Sequence, residues 1–211
     1  MKEEKLVTKI EEMDKKRYKI YLDYEFAFVL YKGELSAYQI FHEKTISEEV
    51  YRKIMEDILV KRAKKRCLNL LQKKNYTEAG LRKKLKDGYY SLEAENKAID
   101  YVKSYGYIDD YRYTSEYVFY HKDKESQKKM EEKLRNKGIN VNIIEKVFEE
   151  NYAQEEAEEI ELLQAKKILK KRQYDEENMD WKEKRKIYAV LARRGIRSSV
   201  IKRAMLLQDT I

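Results

Sequence analysis

Few side chains in this sequence have the type and spacing that covalent or metal chemistry needs. The two histidines, His42 and His121, stand 79 positions apart, and Cys67 is the single cysteine. No Cys/His group therefore has the spacing of a zinc site. Neither Gly-x4-Gly-Lys-Ser/Thr nor Gly-x-Gly-x-x-Gly nor His-Glu-x-x-His occurs, so the common phosphate-cradling and zinc-hydrolase motifs are missing. Asp109-Asp110 is a carboxylate pair, but no histidine or third acid stands near it in sequence. It reads as the N-cap of a helix rather than as a metal or proton-transfer site. Cys67 falls on an apolar stripe and reads as a small core residue. The expectation is a protein with no catalytic residue, no metal and no cofactor.

Charge is where the chemistry lies. The 211 residues hold 47 Lys and Arg against 39 Asp and Glu, a net charge of +8. The excess is segregated. Residues 61–90 carry eleven basic and two acidic side chains, and residues 182–203 carry nine basic and one acidic. Between them, residues 145–161 carry eight acidic and one basic. Two cationic faces can neutralise phosphates or an acidic protein surface. The acidic stretch argues against a chain that coats DNA along its length and favours a partner that offers both signs. The candidate contacts on these faces are Lys64, Lys65, Arg82, Lys83 and Lys86 in a first region. Lys129, Lys133 and Arg135 belong to a second, and Lys184, Arg185, Arg193, Arg194 and Arg197 to a third. Nineteen tyrosines accompany the charges, and many cluster between Tyr89 and Tyr120. Aromatics among lysines can stack on bases. Tyr101, Tyr105, Tyr113 and Tyr117 are at helical spacing, however, and read as core or half-buried residues.

The elements that position these groups are mostly helices. Proline is absent and glycine occurs six times, which removes the usual punctuation of sandwiches and barrels. Val60, Ala63, Cys67 and Leu70 or Leu71 form one helical stripe. Leu81 and Leu85 precede Gly88, Met130 and Leu134 precede Gly138, and Ile187 and Leu191 precede Gly195. Each of these basic amphipathic segments ends in glycine, read as the residue after the helix cap. Helical segments at 60–74, 111–121 and 154–172 come before them. Segments Ala94–Tyr105, Val141–Phe148 and Val200–Leu207 come after. The result is a period of about 50 residues built from three helices. Each such unit buries too little alone and is expected to lean on its neighbours in an elongated array.

The first sixty residues differ. Arg17–Asp23 alternates polar and apolar residues, Glu25–Tyr31 is β-prone, and Val7–Ile10 can add a third strand. Asp23-Tyr24 is the expected turn. Thr45-Ile46-Ser47-Glu48 has capping-box spacing and predicts a helix over roughly 46–58. The fold class is thus mainly α, with tandem three-helix repeats and a small N-terminal antiparallel β region. The expected divisions are an extension at 1–59 and three-helix repeats at 60–108, 109–152 and 153–211. Asp109 or Asp110 starts the second repeat, and the region of Asn151-Tyr152 separates the second from the third.

The ordered motifs resemble the RecX family of recombination regulators. They are Leu81-Arg-Lys-Lys-Leu85, then Gly106-Tyr-Ile-Asp-Asp110, then Leu134-Arg-Asn-Lys-Gly138-Ile139. The likeness covers about residues 60–207, and the β-prone start resembles that of members from Gram-positive bacteria. Met130 stands where isoleucine is more usual, and Lys122-Asp-Lys-Glu125 replaces a Gly-rich lead-in. The resemblance implies a non-enzymatic, cytoplasmic modulator of RecA. Such a protein binds the RecA filament on single-stranded DNA and restrains ATPase and strand exchange, with weak, phosphate-mediated contact to the DNA. The rival reading is a nucleic-acid binder whose three-helix units act as helix-turn-helix-like modules without RecA. A third is an adaptor that binds only proteins. No apolar run reaches the length of a membrane span, the N-terminal MKEEKLVTKIEE lacks the apolar core of a secretory signal, and no heptad seam asks for a second copy. A monomer is the expectation.

Overall fold

The computed structural model describes residues 4–151 and 154–206. Tyr152 and Leu207, which enter the expected repeat boundary and the expected last helix, lie outside those residues. The chain divides into two compact units, residues 1–109 and 110–211.

The first unit opens with strands β1 (Glu4–Glu12), β2 (Arg17–Leu22) and β3 (Glu25–Tyr31). A short helix α1 (Lys32–Ala37) and a strand β4 (Thr45–Ser47) follow. All pairings are antiparallel, in the order β3-β2-β1-β4. The three expected strands are present; α1 and β4 carry no period long enough to read from sequence. Alternation places Val7, Ile20, Leu22, Phe28 and Leu30 on the buried face. The β2–β3 turn is made by Asp23 and Tyr24, both at positive φ (49° and 70°). Two non-glycine residues in that region are strained, and β1 offsets the strain. Leu6 N–H donates to Asp23 Oδ1 at 3.0 Å, and Tyr24 N–H donates to Thr8 Oγ1 at 3.0 Å.

Thr45 does not cap the next helix. It lies in β4, and its hydroxyl donates to Glu4. Ser47 is the cap, accepting from Val50 N–H at 3.3 Å, so the helix starts two residues later than the capping-box spacing predicts. It runs as α2 (Glu48–Lys53), a π-helical segment (Ile54–Val60) and α3 (Lys61–Leu71). The wider π turn brings Ile54, Met55, Leu59 and Val60 to the buried side. It re-phases the helix so that Ala63, Cys67 and Leu70 continue the stripe. Helices α4 (Glu78–Lys86) and α5 (Leu92–Ser104) complete this half. Their buried residues, Leu81, Leu85, Ala98, Ile99 and Val102, belong to the same core as the sheet residues. Cys67 is fully buried in it, and burial pushes its thiol up to about 11.

The second unit holds two smaller cores. Helices α6 (Asp110–His121), α7 (Gln127–Asn136) and α8 (Val141–Asn151) surround Val118, Met130, Leu134, Ile144 and Val147. Helices α9 (Gln154–Lys171), α10 (Trp181–Arg193) and α11 (Ser198–Leu206) surround Leu169, Ile187, Leu191, Val200 and Ile201. α9 serves both: Ala157 lies in the first of these cores, and Ala165 and Leu169 in the second. A continuous 18-residue helix, about 27 Å long, therefore does the joining that a loop does elsewhere.

All three helix-ending glycines, Gly88, Gly138 and Gly195, follow their helix caps, Asp87, Lys137 and Arg194. Gly138 and Gly195 sit at φ +79° and +83° and close α7 and α10. Ile139 N–H reaches Leu134 O at 3.2 Å, and Ile196 N–H reaches Leu191 O at 3.4 Å. Gly88 likewise follows its cap, Asp87, but is not the left-handed residue. Tyr89 is the residue at positive φ (61°), and Tyr90 N–H closes on Leu85 O at 3.2 Å. The glycine lies one residue early, where a Cβ would meet the Tyr90 ring at 2.9 Å. It is retained for close packing rather than for φ.

Candidate interaction surface

The structure sorts the thirteen candidate cations by what they already hold. Arg82, on α4, is turned inward. Its Nε pairs with Glu78 at 2.8 Å, and one terminal nitrogen reaches both Glu95 (2.9 Å) and Asn96 (2.8 Å) on α5. Glu78 also takes Lys103 at 2.8 Å. Burial alone would push the Glu78 carboxyl up, but the two cations outweigh it and hold the group below the usual carboxylate range. Arg197 is more deeply engaged. Its Nε pairs with Glu161 at 3.1 Å, its backbone N–H donates to the same carboxylate at 3.0 Å, and a terminal nitrogen reaches Glu158 at 3.2 Å. Glu161 is only 1% exposed, so Arg197 is its compensating charge and not a free contact. Lys133 is paired with Glu125. Arg135 and Lys184 make long, weaker ion pairs with Glu131 (3.7 Å) and Glu176 (4.0 Å).

Two further candidates rest on aromatic faces. Lys64 Nζ lies 4.7 Å from the centre of the Tyr101 ring, and the Arg185 guanidinium 5.2 Å from that of Trp181. Lys129 is half-buried near the start of α7. That leaves Lys65, Lys83, Lys86 and Arg194 exposed, with no ion pair among the described residues, and Arg193 exposed with one bond to its own helix, to Ala189 O. Lys83 and Lys86 share a helix face three residues apart on α4, and Arg193 and Arg194 project from the end of α10. The free charge thus concentrates on α3 and α4 in one unit and at the exit of α10 in the other.

The acidic stretch is partly spent inside the fold. Glu158 and Glu161 hold Arg197, while Glu150 accepts from the Tyr111 hydroxyl and faces Lys146 at 3.8 Å. Of the four tyrosines at helical spacing, Tyr101, Tyr113 and Tyr117 are half-buried as expected. Tyr105 is not: it is 61% exposed. Its ring sits 4.9 Å from Tyr101 and is nearly parallel to Tyr107 at 5.7 Å. The turn at Gly106 (φ +65°) puts these two rings on one side and breaks the helical period. Asp110 opens α6 with Asp109 just before it, the position expected for a helix start. Among the described residues no cluster of His, Cys, Asp and Glu could hold a metal, and no helix is long and apolar enough to cross a membrane.

Sequence reasoning missed one basic group. Lys167, Lys171, Arg172 and Lys186 line a cleft between α9 and α10 together with Arg194. The signal is the run Lys166-Lys-Ile-Leu-Lys-Lys-Arg172, which contains no acid and lies between the acidic stretch 145–161 and the basic stretch 182–203.

Comparison with known proteins joins these features. Residues 158–205 match the family profile described as RecX, third three-helix domain. The regulatory protein RecX of Caldanaerobacter subterraneus subsp. tengcongensis is 31% identical over 74% of this chain and 80% of its own. That of Clostridium beijerinckii is 30% identical over 94% and 95%. In fold, a crystal structure of a regulatory protein RecX superposes with a TM-score of 0.62 at 24% identity, covering 94% of this chain and 99% of that one. RecX from Lactobacillus salivarius superposes at 0.60 and 21% identity, over 72% and 97%. With three-helix units closed by Gly138 and Gly195 behind a four-stranded sheet, and with likeness to these relatives over most of its length, this chain belongs to the RecX family of regulatory proteins.

Proposed function

We propose that this protein binds the RecA filament on single-stranded DNA and restrains RecA ATPase, strand exchange and recombination. It acts in the cytoplasm as a monomer, without cofactor and without catalysis of its own. The observation that carries this reading is the family likeness along nearly the whole chain. The free cations support it: Lys65, Lys83 and Lys86 in one unit and Arg193 and Arg194 in the other are exposed and hold no ion pair among the described residues. In this reading they meet DNA phosphates and acidic RecA surface, while the exposed members of the 145–161 stretch meet basic RecA surface. Arg82, Lys133 and Arg197 are the weaker members of the candidate set, because their charge is already matched.

The proposed division of labour follows the repeats at 60–108, 109–152 and 153–211, with residues 1–59 as an extension. Modest contacts at the two groups of free cations on one filament combine through effective concentration, so weak individual sites suffice. The test is RecA ATPase on single-stranded DNA with substoichiometric amounts of this protein. Inhibition is expected, together with weak, salt-sensitive binding to naked DNA. An unchanged ATPase beside tight duplex binding would instead favour the nucleic-acid binder that acts without RecA.

A further inference from the structure

The cleft between α9 and α10 has a volume of about 690 Å³. Its rim is cationic on both sides: Lys167, Lys171 and Arg172 from the α9 side, Lys186 and Arg194 from α10. All five are exposed, and none forms an ion pair among the described residues. Among the described residues the one acid lining the cleft, Glu183, is committed to the capping box of α10, its carboxylate accepting from Asp180 N–H at 3.3 Å. Five like charges around one concavity repel one another, and a low-dielectric wall focuses their field. An anionic occupant relieves that repulsion.

The floor narrows the choice of anion. It consists of Ile168, Met179, Ile187 and Val190, with Ile187 buried and the others half-buried. Among the described residues no aromatic side chain lines it, so it lacks the stacking platform on which single-stranded nucleic acid sites rely. Aliphatic side chains and a pliable methionine suit the apolar face of a peptide. Arginine on the rim at Arg172 and Arg194 suits carboxylates, which it takes in bidentate fashion.

We infer that the α9–α10 cleft is a docking site for an acidic amphipathic segment of a protein partner. Its apolar side chains rest on the aliphatic floor and its carboxylates meet the Lys and Arg rim. The site does not depend on the filament reading, since occupancy by such a segment can be measured without RecA or DNA.

The experiment titrates the full chain into a fluorescein-labelled helical peptide of about 15 residues, with Glu on one face and Leu on the other, followed by anisotropy. Saturable binding that weakens with salt is expected. Lys171→Glu/Lys186→Glu should lower the affinity at least about tenfold, while Lys15→Glu/Lys16→Glu, exposed between β1 and β2, leaves it unchanged. Circular dichroism melts confirm that these exposed substitutions preserve the fold. A scrambled peptide of the same composition, with no apolar face, should bind at least about tenfold more weakly. Three results would each overturn the inference: no saturable binding, equal affinity for the scrambled peptide, or an affinity loss in Lys171→Glu/Lys186→Glu confined to an oligothymidylate, which would make the cleft a nucleic-acid site.

Discussion

The first and third three-helix units are built from the same pattern and stabilised differently. In the first, α3, α4 and α5 share one core of twenty-one buried residues with the sheet. In the third, nine buried residues form the core among those described. The thick core buries a carboxylate, Glu95 (8% exposed), which takes the part-exposed Arg82. The thin core has a carboxylate inside it, Glu161, held by Arg197. The middle-helix caps differ too. Thr77 and Asp180 accept from the first turns of their own helices, α4 and α10. Ser126, before α7, instead turns away and donates to Arg194 O at 2.8 Å, tying the second helical group to the exit of α10. The third unit therefore carries its buried carboxylate on less than half as many buried apolar residues as the first.

The largest expected effect tests that contrast. Glu161→Ala should destabilise the third unit by about 3 kcal/mol, because Arg197 loses its buried partner. Hydrogen exchange at Leu169, Leu191 and Ile201 should accelerate, with the sheet amides unaffected. The double substitution Glu161→Leu/Arg197→Met should recover most of the loss. If it does not, the pair supplies more than compensated charge. For comparison, Arg82→Met in the first unit should cost about 2 kcal/mol in a urea melt, because the buried Glu95 loses its cation.

A smaller effect is expected at Gly195. Its φ of +83° already disfavours a side chain, and a Cβ there would come within 2.4 Å of Ser126 Oγ. Gly195→Ala should therefore cost about 2 kcal/mol by thermal unfolding, part of which Ser126→Ala restores. Smaller still is the contrast at Tyr89, which holds the corresponding left-handed position in the first unit. There the Phe26 ring lies 6.4 Å away and Lys19 Nζ 4.8 Å above the Tyr89 ring, interactions that offset the strain. Tyr89→Ala should lose about 1 kcal/mol, and Tyr89→Gly should regain about that amount.

These contrasts mark what the sequence could convey. Period-2 and period-3.6 patterns located β1 to β3 and the helices of every unit, because burial of Ile20, Leu85 or Leu191 dictates the spacing directly. The π segment and β4 escaped, since only packing against the sheet sets their phase. Gly88 follows its helix cap as the sequence predicts, but a glycine in contact with Tyr90 looks, in sequence, like one at positive φ, which here falls on Tyr89. Among the cations, Arg82 had a local warning in Glu78, four residues earlier. Arg197 had none, because its main partner Glu161 lies 36 residues away. Charge tallies find basic faces; they do not say which charges are already taken.

That distinction gives the most direct test of the account. RecA ATPase on single-stranded DNA should be measured with the wild-type protein and with Arg193→Glu/Arg194→Glu, both folded by circular dichroism. The free arginines at the end of α10 are expected to carry filament contact, so the variant should need at least about tenfold more protein for the same inhibition. Inhibition equal to that of the wild type would contradict the assignment of this surface.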